Sequence, residues 1–277
     1  MTEVNYLESL NPLQYESVCS TEGPNLIIAG AGTGKTKVLT TRVAHIIDNN
    51  LAFPSQILCV TFTNKAAREM SERVQKLVSQ NMEKMPWMGT FHSIGAKIIR
   101  NHAEVIGLKQ SFTILDKDDQ LSLIKQIIKA ENLDQSQFSP KLIQSKIDHW
   151  KNKALNPNDI KSESLDNLVD EKSLSIYKIY QARLFEINCL DFGDLLLQCI
   201  NLFKVTDIHK RYSNNFKYIH VDEYQDTNAA QYKWLKLLGS HHQNVCCVGD
   251  DDQSIYSWRG AEVDNMLRFE KEFENAK

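Results

Sequence analysis

At 277 residues, 42% of them hydrophobic, the chain can bury a sizeable core and exceeds the length at which one small domain is expected. A net charge of −3 excludes a polyanion binder driven by bulk charge, so any basic surface has to be local; residues 1–113 carry 11 Lys and Arg against 9 Asp and Glu, 114–188 carry 11 against 12, and 189–277 carry 10 against 14. No run approaches the roughly 18 apolar residues of a membrane span, the six cysteines lack C-x-x-C spacing, and the start MTEVNYLESLNPLQ is polar and acidic, so the expected setting is the reducing cytoplasm, with no membrane partner.

Short apolar runs bounded by glycine, proline or polar clusters predict strands at 25–29 (NLIIA), 57–62 (ILCVTF), 217–221 (KYIHV) and 245–248 (VCCV). Segments of helical period lie between them. Val38, Leu39, Val43, Ile46 and Ile47 follow the first strand; Ala67, Met70, Val74 and Leu77 follow the second on one helix face, with Asn64 as the expected cap. Residues 114–188 differ. They hold three amphipathic helical stretches separated by DQSQFSP and NPNDIKSES, with no strand-like run. The expected fold is α/β: a parallel sheet covered by helices on both faces, built from segments 1–113 and 189–277, with an inserted all-helical subdomain at 114–188. In such sheets ligands sit at the carboxyl ends of the strands, and each unusual motif here directly follows a predicted strand.

The first of these motifs is AGAGTGKT: Ala29, Gly30, Ala31, Gly32, Thr33, Gly34, Lys35 and Thr36. A glycine-rich turn that opens a helix converges its backbone N–H groups on phosphate; Lys35 can reach the β and γ oxygens and the Thr36 hydroxyl can ligate Mg²⁺. The usual pattern begins with glycine where this chain has Ala29. Asp222 and Glu223 follow the KYIHV run, where the aspartate can hold Mg²⁺ and the glutamate can deprotonate an attacking water. Alone, the pair reads equally well as acids at the start of a helix through Trp234 and Leu238. Beside the glycine-rich loop the phosphate reading leads, and with it ATP hydrolysis. The stretch VGDDDQSIYSWRGA joins acids to Tyr256, Trp258 and Arg259, which offer stacking faces and a cation to a single strand; core aromatics are the alternative.

LNPLQYESV, AGAGTGKT, TFTNKAAREM, GTFHS, VDEYQDTN and VGDDDQSIYSWRGA stand in the order found in superfamily 1 DNA helicases of the UvrD/Rep/PcrA type, which the chain resembles over most of its length outside the helical stretch. The resemblance implies a RecA-like core domain with a helical insertion. It further implies ATP and Mg²⁺ as cofactors, single-stranded DNA and single/double-strand junctions as partners, and translocation and unwinding in DNA repair or replication. Gln14 matches the glutamine that recognises adenine, Lys37 stands where relatives often have arginine, and Gln253 matches the sensor of the γ-phosphate. Phe62, Asn64, Thr90 and His92 match positions that line the single-strand channel, although by themselves Phe62 reads as core and His92 as a satisfied polar residue. In the family a second RecA-like domain follows WRGA and supplies arginines to the ATP site. Residues 1–277 are therefore expected to be part of a longer helicase and inactive alone as a motor. An ATP-gated single-strand-binding module and the motor part of a nuclease–helicase stay open as alternatives.

Overall fold

The computed structural model describes residues 6–78, 85–161, 163, 167–250, 269, 271, 273 and 275–277. Its strands are β1 (Asn25–Ile28), β2 (Ile57–Thr61), β3 (Met88–Thr90), β4 (Thr113–Leu115), β5 (Cys189–Asp191), β6 (Tyr218–Val221) and β7 (Val245–Gly249). Its helices are α1 (Pro12–Cys19), α2 (Lys35–Asp48), α3 (Asn64–Leu77), α4 (Phe91–Asn101), α5 (Lys117–Ala130), α6 (Pro140–Asn152), α7 (Leu168–Glu186), α8 (Asp194–Leu202), α9 (Thr206–Asn215) and α10 (Ala229–Leu238). The chain divides into two compact units: Met1–Ile94, Thr206–Asn228 and Leu235–Lys277 in one, Gly95–Val205 and Ala229–Trp234 in the other.

The first unit is built on a five-stranded sheet in the order β1-β7-β6-β2-β3, with every described pairing parallel. β2, β6 and β7 are buried at every residue, as strands covered on both faces must be, which is why they read as continuous apolar runs. Leu39, Val43 and Ile46 of α2 and Met70 and Val74 of α3 pack with Ile57, Cys59 and Val248 into one core. Each such fully buried aliphatic side chain contributes about 1.5–3 kcal/mol relative to exposure. β3 escapes a pattern search because it is three residues long and centred on Gly89. Thr63, and not the expected Asn64, caps α3: its backbone is extended and its hydroxyl accepts the Ala66 N–H at 3.1 Å, whereas Asn64 is already the first helical residue.

Parallel register lines up one row across the sheet, with Asn25 opposite Cys246, Cys246 opposite His220, and His220 opposite Cys59. His220 is 1% exposed and neither ring nitrogen has a hydrogen-bond partner. Burial, reinforced by the nearby Arg42 guanidinium, holds its pKa well below the ordinary histidine value. A base whose pKa is depressed on folding stabilises the fold above its unfolded pKa, here about 6.5, and that stability is lost as pH falls below it. His220→Leu is expected to flatten this dependence: below pH 6.5 the wild type should lose up to about 1.4 kcal/mol per pH unit more than the variant. Urea unfolding of both proteins at pH 7.5 and pH 5.5 measures it, and identical pH slopes would refute it.

The second unit is wider than the helical stretch 114–188 and is not all helical. β4 and β5 form a two-stranded parallel sheet, Thr113 opposite Cys189 and Leu115 opposite Asp191, with β4 against α5 and β5 against α7 and α8. Strands of three residues carry too little alternation to be read from sequence. Ile124, Ile128, Ile143, Ile147, Tyr177 and Leu184 form the apolar centre. Beside it Lys151, with a fully buried side chain, pairs with Asp191 at 2.7 Å and Asp194 at 2.8 Å. The Tyr180 hydroxyl and the Gln120 amide also donate to Asp191, and Gln181 donates to Asp194. Burial and the neighbouring Asp191 push the Asp194 carboxyl up to about 6, whereas Lys151 holds Asp191 low against the effect of burial. Gly193 is required here because a Cβ would lie 2.8 Å from the Lys151 chain.

Candidate nucleotide site

The glycine-rich loop leaves β1 at the edge of the sheet and enters α2. Gly30, Ala31, Gly32 and Thr33 are exposed. Gly32 and Gly34 have φ of 73° and 91°, the left-handed region in which an L side chain is strained. A Cβ at Gly30 or Gly32 would meet nothing within 4 Å, so packing inside the protein does not demand glycine there, and the open space suits a phosphate held close to backbone. Gly34 gives α2 no side-chain cap, which leaves its first-turn N–H groups without an acceptor of that kind. This donor set fits a nucleotide phosphate chain. Lys35 crosses the loop, donating to the Ala29 carbonyl at 3.0 Å and to the Asp250 carboxylate at 2.8 Å. Thr36 is half-buried in the first turn of α2.

Gln14 lies beside the same loop. Asn11 caps α1 and Gln14 closes a capping box: the Gln14 N–H donates to Asn11 Oδ1 at 2.9 Å, and Gln14 Oε1 accepts the Asn11 N–H at 3.1 Å. The remaining end of its amide donates to the Thr33 carbonyl at 2.9 Å. Lys37 points elsewhere, donating to the Ser9 carbonyl at 2.7 Å.

Because β7 lies between β1 and β6, the ends of these three strands are adjacent. Asp222, 4% exposed, continues β6 by donating its N–H to Val60 at 3.1 Å. Its carboxyl is pushed up to about 6, first by burial and then by Glu223, against the opposing pull of Lys35 and Arg73. Glu223 adopts φ 53° and ψ 46°, a left-handed backbone that turns the chain into a 3-10 turn over Tyr224–Asp226. Gln225, inside that turn and 2% exposed, donates to Glu223 Oε2 at 2.7 Å and accepts the Asp250 N–H at 3.0 Å. Neither Gln225 nor Asp250 is singled out by the motif reading. Asp250 is the first of three successive acids, and its contact with Lys35 is visible only in the tertiary structure.

β2 and β3 are neighbours, with Thr61 opposite Thr90, so TFTN and GTFHS leave the sheet side by side. Phe62 is half-buried, edge-on to Phe91 at 5.6 Å; Asn64 is exposed. Thr90 Oγ1 accepts the Ser93 N–H at 3.1 Å, and His92 is half-buried in the first turn of α4. Gln253, Tyr256, Trp258 and Arg259 lie outside the described residues. Among the described residues no cluster of His, Cys, Asp and Glu forms a metal site on protein ligands alone. No described helix is long and apolar enough to cross a membrane.

A parallel sheet with a glycine-rich loop, a lysine at its helix start and an acidic pair two strands away is the architecture of the RecA-like P-loop proteins. More narrowly, the chain belongs to the UvrD/REP helicase N-terminal domain family, whose pattern it matches over residues 10–274. It is 49% identical over 279 residues to a probable DNA helicase II homolog of Rickettsia conorii, covering 100% of this chain and 42% of that protein. It is also 49% identical over 271 residues to the ATP-dependent DNA helicase PcrA of Staphylococcus aureus, covering 98% of this chain and 37% of that one. The chain thus spans less than half the length of the curated relatives it matches.

A Mg²⁺ ion ligated by Asp222 would need that carboxylate ionised. Because its pKa is raised to about 6, Mg²⁺-dependent nucleotide affinity is expected to be full at pH 7.5 and to fall progressively below pH 6, while affinity measured in EDTA changes less. Titration calorimetry at pH 7.5, 6.5 and 5.5, with and without Mg²⁺, checks this; parallel losses in both series would locate the titration elsewhere.

Proposed function

We propose that the chain is the ATP-binding portion of an ATP-dependent DNA helicase, which couples hydrolysis to movement along single-stranded DNA and to unwinding at single/double-strand junctions in DNA repair or replication. The observation that carries this reading is the convergence of Lys35, Asp222, Glu223 and Asp250 at three adjacent strand ends beside the exposed glycine-rich loop. The names of the relatives, DNA helicase II and ATP-dependent DNA helicase PcrA, support it.

In this reading the loop amides and Lys35 hold the β and γ phosphates, and Thr36 and Asp222 hold Mg²⁺, whose chemistry when bound is to neutralise charge on the phosphate oxygens. Glu223 takes a proton from the attacking water. Gln14, steadied by its capping box, offers adenine an amide edge in exchange for its bond to Thr33. Gln253 senses the γ-phosphate. Phe62, Asn64, Thr90 and His92 line a path for the strand from the ends of β2 and β3, continued by Tyr256, Trp258 and Arg259, and the location is cytoplasmic.

Lys35→Ala should weaken MgATP binding about 10- to 100-fold, the scale of a lost charge-assisted contact. Because Asp250 is 1% exposed and loses its ion pair with Lys35 in that variant, Lys35→Ala/Asp250→Asn serves as the control, expected to recover melting temperature but not affinity. Calorimetry that finds wild-type affinity in either variant refutes the assignment.

Glu223→Gln in the full-length protein should leave MgATP affinity within about twofold and slow single-turnover hydrolysis by on the order of 10²–10⁴. An unchanged rate would mean that another group activates the water.

A further inference from the structure

Glu223 and Gln225 are two residues apart, a spacing at which side chains on a helix do not face each other. Here they do, because the left-handed backbone at Glu223 folds the following turn beneath it. The buried Gln225 side chain spends both ends of its amide: Nε2 on the Glu223 carboxylate at 2.7 Å, Oε1 on the main-chain N–H of Asp250 at 3.0 Å. The chemistry of the two partners fixes the amide orientation, since a flipped group would set oxygen against carboxylate and N–H against N–H. Asp250 in turn holds Lys35 at 2.8 Å. Three hydrogen bonds therefore run from the lysine of the glycine-rich loop to the candidate base, crossing the ends of β1, β7 and β6.

We propose that Gln225 is a positioning residue for hydrolysis, which fixes the Glu223 carboxylate for its water and ties it to Asp250, so that the base and the lysine of the phosphate loop are held in one network. The proposal rests on the reading of Glu223 as the base. A proton acceptor needs one oxygen held and the other presented; Gln225 occupies Oε2 and leaves Oε1 for water. A neutral amide does this without the charge compensation that a lysine would bring, which would lower the basicity of the carboxylate. Glutamine donates to a carboxylate and accepts from an N–H at once without depending on a proton of its own. When Lys35 turns to a phosphate, its bond to Asp250 changes, and the Asp250 N–H lies one hydrogen bond from Gln225.

Gln225→Glu and Gln225→Leu in the full-length protein separate the two contacts. The glutamate keeps an acceptor for the Asp250 N–H and, in assays at alkaline pH that ionise it, repels Glu223; the leucine keeps neither contact. The expected result is single-turnover hydrolysis slowed about 10- to 100-fold in both, with MgATP affinity within about twofold of wild type. Hydrogen exchange in the peptide spanning 245–250, followed by mass spectrometry, should accelerate only in Gln225→Leu. Wild-type hydrolysis in Gln225→Glu overturns the proposal, and so does a joint loss of rate, affinity and exchange protection in that variant, which would mark a purely structural role. Glu223→Gln assayed in parallel keeps the two failures apart. A wild-type rate in Glu223→Gln removes the base reading itself, whereas a slow Glu223→Gln beside a fast Gln225→Glu removes only the role of Gln225.

Discussion

The contact between Lys35 and Asp250 depends on one topological choice, the placing of β7 between β1 and β6. Adjacent parallel strands lie about 4.8 Å apart, so the residue after β7 is one strand away from the loop that follows β1, and the residue after β6 is two. The pair draws the loop, the acidic strand end and the exit of β7 into one electrostatic unit, and its 2.8 Å length sets a partly buried lysine directly on a carboxylate that is 1% exposed. A buried pair of this kind costs desolvation that its attraction only partly repays. Its presence at the carboxyl ends of the strands is therefore better explained by the role proposed for the lysine at a phosphate than by stability.

The acidic side of the site shows the same tension. Asp222 is buried enough that its carboxyl is pushed up to about 6, and Glu223 is held in a backbone region that costs an ordinary residue of order 1 kcal/mol. Strained and desolvated groups persist where the surroundings determine them, and here the surroundings are the strand before them and the 3-10 turn after them. A metal ion beside Asp222 would relieve the first cost. The second is the condition for Gln225 to reach the Glu223 carboxylate.

Away from the site, polar groups are buried for other reasons. Arg42, 1% exposed, donates to the carbonyls of Ser17 and Thr21 and so fastens the end of α1 to α2, which keeps Gln14 beside the loop. In the second unit Lys151 answers two carboxylates at once, and the hydrogen bonds of Tyr180, Gln120 and Gln181 satisfy the remaining lone pairs. Such a network specifies one packing of α6, α7 and α8 against β5, because no apolar rearrangement could meet its bonds.

The sequence by itself determined the elements of the main sheet whose strands are buried on both faces, because continuous apolar runs such as ILCVT and YIHV have few other uses, and it determined the phosphate loop, because glycine spacing and a following lysine carry their mechanism in the backbone. Beyond its reach were the three-residue strands β3, β4 and β5, which have too few side chains to show a period, and the capping of α3 by Thr63, which depends on a dihedral. Only the tertiary structure decided that β7 divides β1 from β6, that Asp250 meets Lys35, and that Gln225 turns back to Glu223. Those contacts join residues up to 215 positions apart, or reverse the direction of the chain within two, and neither relation leaves a periodic trace in the sequence.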